Sequence, residues 1–242
     1  MAIHDLLHYQ GLSIQQTPNT FHFSLDSLLL AYYAPVASST KHIIDLCSGN
    51  APVPLFLSLK TKATIIGIEL QSEAYNNAVA SVAMNQKEEQ ITMFQADVKG
   101  VYKTIGHDRF DLVTVNPPYY ATTNLELTSK TQTQALARHE ISLTLEDVFN
   151  EAAKLLKNKG LLCIIQRVER LNEMLELCTQ TNLVPKSLRF VHPFIHESAN
   201  VVLLIAKKGA KPGSLEVLPP VITHEADGSY TTQINAIYHY GS

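Results

Sequence analysis

The chain has 242 residues, 45% of them hydrophobic and 17% charged, which is enough for one α/β domain with a full core, or one domain and a small appendage. A formal net charge of −3 excludes an overall positive field that would gather nucleic acid, so any RNA contact must come from a local basic patch. Cys47, Cys163 and Cys178 form no CxxC pair, and no signal peptide or long apolar span is evident; the reading is therefore a protein of a reducing cytoplasm, without structural zinc and away from membranes.

Met1 to Thr20 is polar and mixed, and Gln15-Gln16-Thr17-Pro18-Asn19 reads as a hairpin tip or loop. Phe21-His22-Phe23 alternates as a strand does. The apolar helix that follows ends before Pro35, with Ser24 or Asp26 as its cap; Asp26 and Ser27 serve either that end or a ligand. His42 to Leu46 reads as a strand, Cys47-Ser48-Gly49-Asn50-Ala51 as a loop of small residues, and about Ala51 to Lys60 as a helix with Pro52 in its first turn. A strand, such a loop and a helix open a βαβ unit and let a ligand approach backbone amides at a helix N-terminus. A second strand, Ala63 to Ile68, ends in Glu69. An acidic residue roughly 20 residues on is placed to accept bonds from ribose hydroxyls; the alternative is a charge at a helix N-terminus.

Gln71 to Gln86 is an Ala- and Asn-rich helix, and Gln90 to Phe94 a third strand leading to Gln95-Ala96-Asp97-Val98. Asp97 either accepts the exocyclic amine of an adenine or caps the helix after it. Phe110 to Val115 is a fourth strand, and it delivers Asn116-Pro117-Pro118-Tyr119. Two consecutive prolines fix the backbone and remove two amide donors. The rigid turn that results suits a planar group carrying an NH2. The Asn116 side-chain oxygen and the Pro117 carbonyl can each accept one amine hydrogen, and the Tyr119 ring can stack on the face. The plain alternative is a turn and nothing more. Asp45, Glu69, Asp97 and Asn116 share one placement, at the carboxyl ends of successive strands, where open parallel sheets bind ligands.

Ala121 to Gln134 is Thr-rich and aperiodic and reads as a mobile loop beside the site. In Arg138-His139-Glu140, His139 is either a general base or an anchor for surface and loop. Thr144 caps a helix running to Lys157, with Asp147 in its first turn. Gly160 to Gln166 is a fifth strand and Arg167 to Gln180 another helix. Ser187 to Val191 and Asn200 to Lys207, joined by a short connection, read as an antiparallel hairpin at one sheet edge. His192 and His196 have no further Cys or His to complete a metal set. The tail from Gly209 is Gly- and Pro-rich and ends in Tyr238-His239-Tyr240, an appended hairpin or helix. Lys130, Arg138, Arg167, Lys207 and Lys208 are the candidate phosphate contacts, with a solvated face as the alternative for each.

The order of elements resembles the class I methyltransferase fold, an α/β, Rossmann-like, mostly parallel seven-stranded sheet with an antiparallel hairpin at one edge and helices on both faces. Asp45 to Ala51 is similar to the D-x-G-x-G-x-G motif of that family at Asp45 and Gly49, and departs from it where Cys47 and Ala51 stand for glycines. Asn116-Pro117-Pro118-Tyr119 matches the family motif of enzymes that methylate exocyclic amines. The resemblance implies S-adenosylmethionine as cofactor, bound by Asp45, Ser48, Gly49, Glu69, Leu70, Asp97, Val98 and Asn116. It implies a catalytic set in which Asn116 and the Pro117 carbonyl hold the amine, Pro118 shapes the turn and Tyr119 stacks on the ring. It places an N-terminal extension and helix over 1–34, a methyltransferase domain over 35–208 and a C-terminal appendage over 209–242.

Most of the chain, including Asp26-Ser27 and Ala137-Arg138-His139-Glu140, looks similar to bacterial tRNA adenine-N6 methyltransferases, which act beside the anticodon of a valine tRNA. The resemblance therefore implies tRNA as partner. Enzymes acting on guanine N2 of ribosomal RNA or on protein glutamine amides share the motif and stay as alternatives. A dinucleotide-dependent oxidoreductase would carry G-x-G-x-x-G where only Gly49 stands. A non-catalytic RNA-binding protein of the same fold would tolerate loss of Asn116 or Glu69, and both are present.

Overall fold

In a computed structural model of the chain, residues 2–7, 11–17, 24–118 and 143–241 are described. Tyr119, the expected strand at Phe21-His22-Phe23, the loop from Ala121 to Gln134 and the Arg138-His139-Glu140 run lie outside them.

Seven strands form the body of one sheet: β3 (His42–Leu46), β4 (Thr64–Glu69), β5 (Ile91–Gln95), β6 (Phe110–Val115), β7 (Leu156–Arg167), β8 (Leu183–His192) and β9 (Val201–Lys208). Their order is β5-β4-β3-β6-β7-β9-β8. The pairs from β5 to β7 are parallel, and β9 runs antiparallel to both β7 and β8. The expected edge hairpin is thus β8 and β9, with β9 inserted beside β7. Two short strands from the tail, β10 (Glu216–Val217) and β11 (Val221–Ile222), pair parallel with β8 and bring the sheet to nine strands. The tail therefore extends the sheet as well as packing on it.

The central strands are apolar on both sides because both faces are covered. Successive residues leave a strand in opposite directions: Ile43, Leu112 and Cys163 join one core, while Ile44, Val113 and Ile164 join the other. The first core is closed by residues of α1 (Leu25–Tyr33), α2 (Pro52–Lys60), α3 (Ser72–Met84) and the C-terminal α7 (Thr232–Tyr238). The second is closed by α4 (Tyr102–Ile105), α5 (Leu145–Leu155) and α6 (Leu171–Gln180). Thr144 caps α5 as expected, in a reciprocal box with Asp147.

One segment differs from its expected role. Gln15 and Gln16 lie inside a strand, β2 (Ser13–Gln16), which pairs antiparallel with β1 (Ala2–Asp5), so the hairpin tip is earlier. β2 docks on α3 through side chains one and two turns apart. The Gln15 amide nitrogens reach Ser81 Oγ and Asn77 Oδ1, and the Ser13 N–H reaches Asn85 Oδ1, each at 2.9 Å. That docking explains the Asn and Ser content of α3. Helix α1 ends against α2: Lys60 Nζ donates to the carbonyls of Ala31, Tyr32 and Ala34 at 2.6–2.9 Å, satisfying acceptors that the last turn leaves open. No helix among the described residues is long and apolar enough to cross a membrane.

Candidate active site

All the parallel strands end on one edge of the sheet. Leu46, Glu69, Gln95 and Val115 are their last residues there, and a pocket opens among the loops that follow. Its volume of about 180 Å³ is more than ten times what a single water requires. Of the residues expected to bind a cofactor, Asp45, Ser48, Gly49, Glu69, Leu70, Asp97, Val98 and Asn116 all line it, as do Pro117 and Pro118.

The loop after β3 follows a glycine-like path without three glycines. Cys47, Gly49 and Ala51 have φ of 58°, 53° and 71°, the left-handed region that side chains disfavour. Cys47 and Ala51 thus keep the backbone that the family motif builds with glycine, at some local strain. Nothing lies within 4 Å of where a Cβ on Gly49 would stand. Ala51 is the N-cap of α2, with Pro52 in its first turn, where the missing N–H costs nothing.

The loop is held from beneath by Asp45, which is 1% exposed. Its two carboxylate oxygens accept from Thr114 Oγ1 and Ser48 Oγ, both at 2.7 Å. Burial pushes the Asp45 carboxyl up to about 7; the Thr114 and Ser48 hydroxyls pull it down, and the nearby Glu69 carboxylate pushes it up. Burial, with the Glu69, Asp45 and Asp97 carboxylates, also holds the Cys47 thiol well above its ordinary range, which makes it a poor nucleophile. Glu69 ties the loop to the next strand. Its Oε2 accepts the Gly49 N–H at 2.9 Å and its Oε1 the Gln71 N–H at 2.8 Å.

Asp97 is exposed, and its Oδ1 accepts the Lys99 N–H at 2.9 Å. That is an Asx turn two residues ahead, close to the capping alternative, and Asp97 lines the pocket as well. Asn116 follows β6 directly and donates its side-chain N–H to Ser27 Oγ at 3.2 Å. Ser27 is therefore at the site; Ser24 is the N-cap of α1 but makes no side-chain capping bond.

Among the candidate phosphate contacts, Arg167 ends β7 on the same edge as the pocket. Lys207 and Lys208 do not. β9 runs antiparallel, so its end lies at the far edge, where Lys208 bonds Asp108 Oδ1 and the Leu156 carbonyl, both at 2.7 Å. Sequence patterns alone do not single out three residues: Asn50 and Leu143, which line the pocket, and Thr114, which supports Asp45 beneath it. Thr114 nonetheless carried a signal, as the single hydroxyl among the four buried residues that end β6. Asn50 is 2% exposed and donates to the Gln15 carbonyl at 3.0 Å, linking the loop to the N-terminal hairpin. Among the described residues no His, Cys, Asp and Glu side chains gather into a set that could hold a metal ion.

The family model described as methyltransferase small domain matches residues 22–191. A tRNA1(Val) (adenine(37)-N6)-methyltransferase of Porphyromonas gingivalis is 27% identical over 205 residues, covering 82% of this chain and 79% of the relative. The protein of the same description from Escherichia coli O157:H7 is 32% identical over 154 residues, covering 63% of this chain and 61% of the relative. The fold is similar to that of Atu636 from Agrobacterium tumefaciens, described as a predicted O-methyltransferase, with a TM-score of 0.69 at 22% identity over 88% of this chain and 95% of that one. It is also similar to a geranyl diphosphate C-methyltransferase from Streptomyces coelicolor A3(2), solved with S-adenosyl-L-homocysteine. There the TM-score is 0.55 at 12% identity, over 75% of this chain and 76% of that one.

Proposed function

The chain belongs to the methyltransferase small domain family, and on that premise we propose that it methylates N6 of an adenine beside the anticodon of a valine tRNA, using S-adenosylmethionine. The observation that carries the reading is the placement of Asn116-Pro117-Pro118 at the wall of a pocket that Asp45, Gly49 and Glu69 also line. The relatives at 27% and 32% identity carry tRNA adenine-N6 methylation in their descriptions, which favours adenine over guanine N2 or a glutamine amide. Three cysteines without disulfides suit a reducing cytoplasm.

The pocket fits this cofactor. Asp45, Glu69 and Asp97 offer carboxylates to a ligand with hydroxyls and positive charge, and the same carboxylates would repel the pyrophosphate of a dinucleotide. Leu70 and Val98 offer apolar surface to a purine, and Gly49 leaves open the space that a side chain would fill. In this reading Glu69 takes the ribose hydroxyls, Asp97 and Val98 the adenine end, and Asp45 with the loop Ser48-Gly49 the methionyl end. When bound, the cofactor supplies a methyl group on a sulfonium, a strong electrophile.

The protein's part is positioning. The lone pair of an adenine amine is delocalised into the ring, so the amine is a weak nucleophile. Asn116 Oδ1 and the Pro117 carbonyl accept its two hydrogens, fix its plane and favour charge build-up on nitrogen. Ser27, by taking the Asn116 N–H, turns the Asn116 oxygen toward that task. Tyr119 would stack on the base, a role resting on the motif alone. No basic side chain is required, because the methylated amine sheds its proton readily to water.

The test is direct. The purified chain, supplied with the cofactor and an unmodified valine tRNA transcript, should yield N6-methyladenosine on nuclease digestion and mass spectrometry. Methyl on guanine N2 or on a release-factor glutamine, with none on adenine, would replace the reading by one of the alternatives.

A further inference from the structure

Five rings form a continuous ladder beside the ends of β8 and β11, three strands across the sheet from β6. Centroids lie 5.9 Å apart for His196 and Phe194, 5.5 Å for Phe194 and His224, 5.1 Å for His224 and Tyr230, and 5.4 Å for Tyr230 and Tyr238. Interplanar angles are 27° and 29° for the two outer pairs, which stack, and 34° and 36° for the two inner pairs, which are tilted. The ladder begins in the core, where Tyr238 is 6% exposed, and ends in solvent, where His196 is exposed and its neighbour Ile195 is 76% exposed.

The connection carrying Phe194 to His196 is held by several bonds. The His192 ring donates through Nδ1 to the Glu197 carbonyl at 2.7 Å, and the Glu197 N–H reaches the Phe194 carbonyl at 3.1 Å. The Pro193 carbonyl accepts from Thr223 Oγ1 and the His224 N–H, both at 3.0 Å. A ring face fixed in this way loses little conformational freedom when something binds to it.

Its place in the fold says what it faces. β8 is parallel to β7, and β11 is parallel to β8, so His192 and Ile222 end on the same edge as Asn116. From β6 to β8 is three strand spacings, about 14 Å, a span that a few nucleotides of single strand can cover. Arg167 lies between, at the end of β7, next to Glu169 at 3.9 Å.

We propose that Phe194, Ile195 and His196 form a stacking platform for an unpaired base of the RNA substrate, a few nucleotides from the methylated adenine. This rests on the RNA methylation reading above. An RNA loop offers splayed bases with flat π-faces, and the stacked Phe194–His196 pair presents a flat exposed ring. Stacking of this kind tolerates any base, so the platform positions the strand and leaves the choice of adenine to the Asn116 turn.

The experiment uses the full chain and an anticodon-type RNA stem-loop with an adenine in its loop. Ile195→Ser combined with His196→Ala removes the exposed end of the platform and leaves the buried rings in place. RNA affinity, read by fluorescence anisotropy, should fall about 5- to 150-fold, the range that one lost base stack represents. Affinity for S-adenosylhomocysteine and the rate at saturating RNA should not change. His196→Phe, which keeps a ring, should bind RNA as the wild type does. A double variant with wild-type RNA affinity overturns the platform while leaving the methylation reading intact. A wild type that binds no RNA and methylates a protein glutamine overturns both.

Discussion

The Asn116 amide nitrogen lies 3.2 Å from the Ser27 hydroxyl, a bond that joins the turn after β6 to α1 across 89 residues of chain. In the proposed reading this bond commits the nitrogen to Ser27 and leaves the oxygen to accept an amine hydrogen. Ser27→Ala should cost the transition state about 1 kcal/mol, the value of one neutral hydrogen bond, or roughly a fivefold slower methyl transfer. Cofactor affinity should stay at the wild-type level. Single-turnover rates and calorimetry separate the two, and a variant that loses affinity while keeping its rate would place Ser27 at the cofactor instead.

Asp45 predicts a pH dependence. Its folded-state value of about 7 stands above the ordinary 3.8, so the folded chain holds this proton more tightly than the unfolded one. The stability this contributes is complete below about pH 4 and is lost as pH rises through about 7. Relative to Asp45→Asn, the wild type should lose on the order of a few kcal/mol between about pH 5 and pH 8. Parallel stability curves for the two proteins would show that Asp45 does not titrate there. A cationic ligand favours the ionised carboxylate, so cofactor binding near pH 7 should also release a proton, visible in calorimetry as a dependence on buffer ionisation heat.

Much of this arrangement was legible in the sequence. The strands from His42 to Val115 were readable because burial on both faces makes them short apolar runs with polar residues only at their ends. The departures at Cys47 and Ala51 became interpretable only from the backbone, since positive φ at non-glycine residues leaves no trace in composition. β10 and β11 are two residues each and exist through pairing with β8, so no local pattern announces them. The start of β8 was hidden by Pro185, which sits at a register shift against β9. Lys207 and Lys208 were misplaced for a topological reason: one antiparallel strand sends its C-terminal lysines to the far edge.

The Glu69 carboxylate holds the Gly49 and Gln71 amides, and the proposed reading adds ribose hydroxyls to it. Glu69→Ala should weaken S-adenosylhomocysteine binding by about 1–3 kcal/mol, the cost of stranding partners of a charged acceptor. Calorimetry reads this, and an unchanged affinity would remove Glu69 from the ribose.

Lys60 supports the site at a distance by closing the last turn of α1, the helix that carries Ser27. Lys60→Met keeps the aliphatic stem but leaves the Ala31, Tyr32 and Ala34 carbonyls without their donor. A loss of about 1–3 kcal/mol should lower the melting temperature by roughly 2–4 °C per kcal/mol for a chain of this size. A melting temperature equal to that of the wild type would mean that water replaces the ammonium at no cost.

The central claim is that the turn after β6 accelerates methyl transfer by holding an exocyclic amine. Its most direct test is Asn116→Ala, with single-turnover methylation of valine tRNA and cofactor affinity measured on the same preparation. The rate should fall about 10²–10³-fold, the loss that follows removal of one transition-state hydrogen bond, while cofactor affinity changes little. Asn116→Asp, which keeps an acceptor oxygen, should retain more activity than Asn116→Ala. An Asn116→Ala protein that methylates adenine at the wild-type rate would contradict the account.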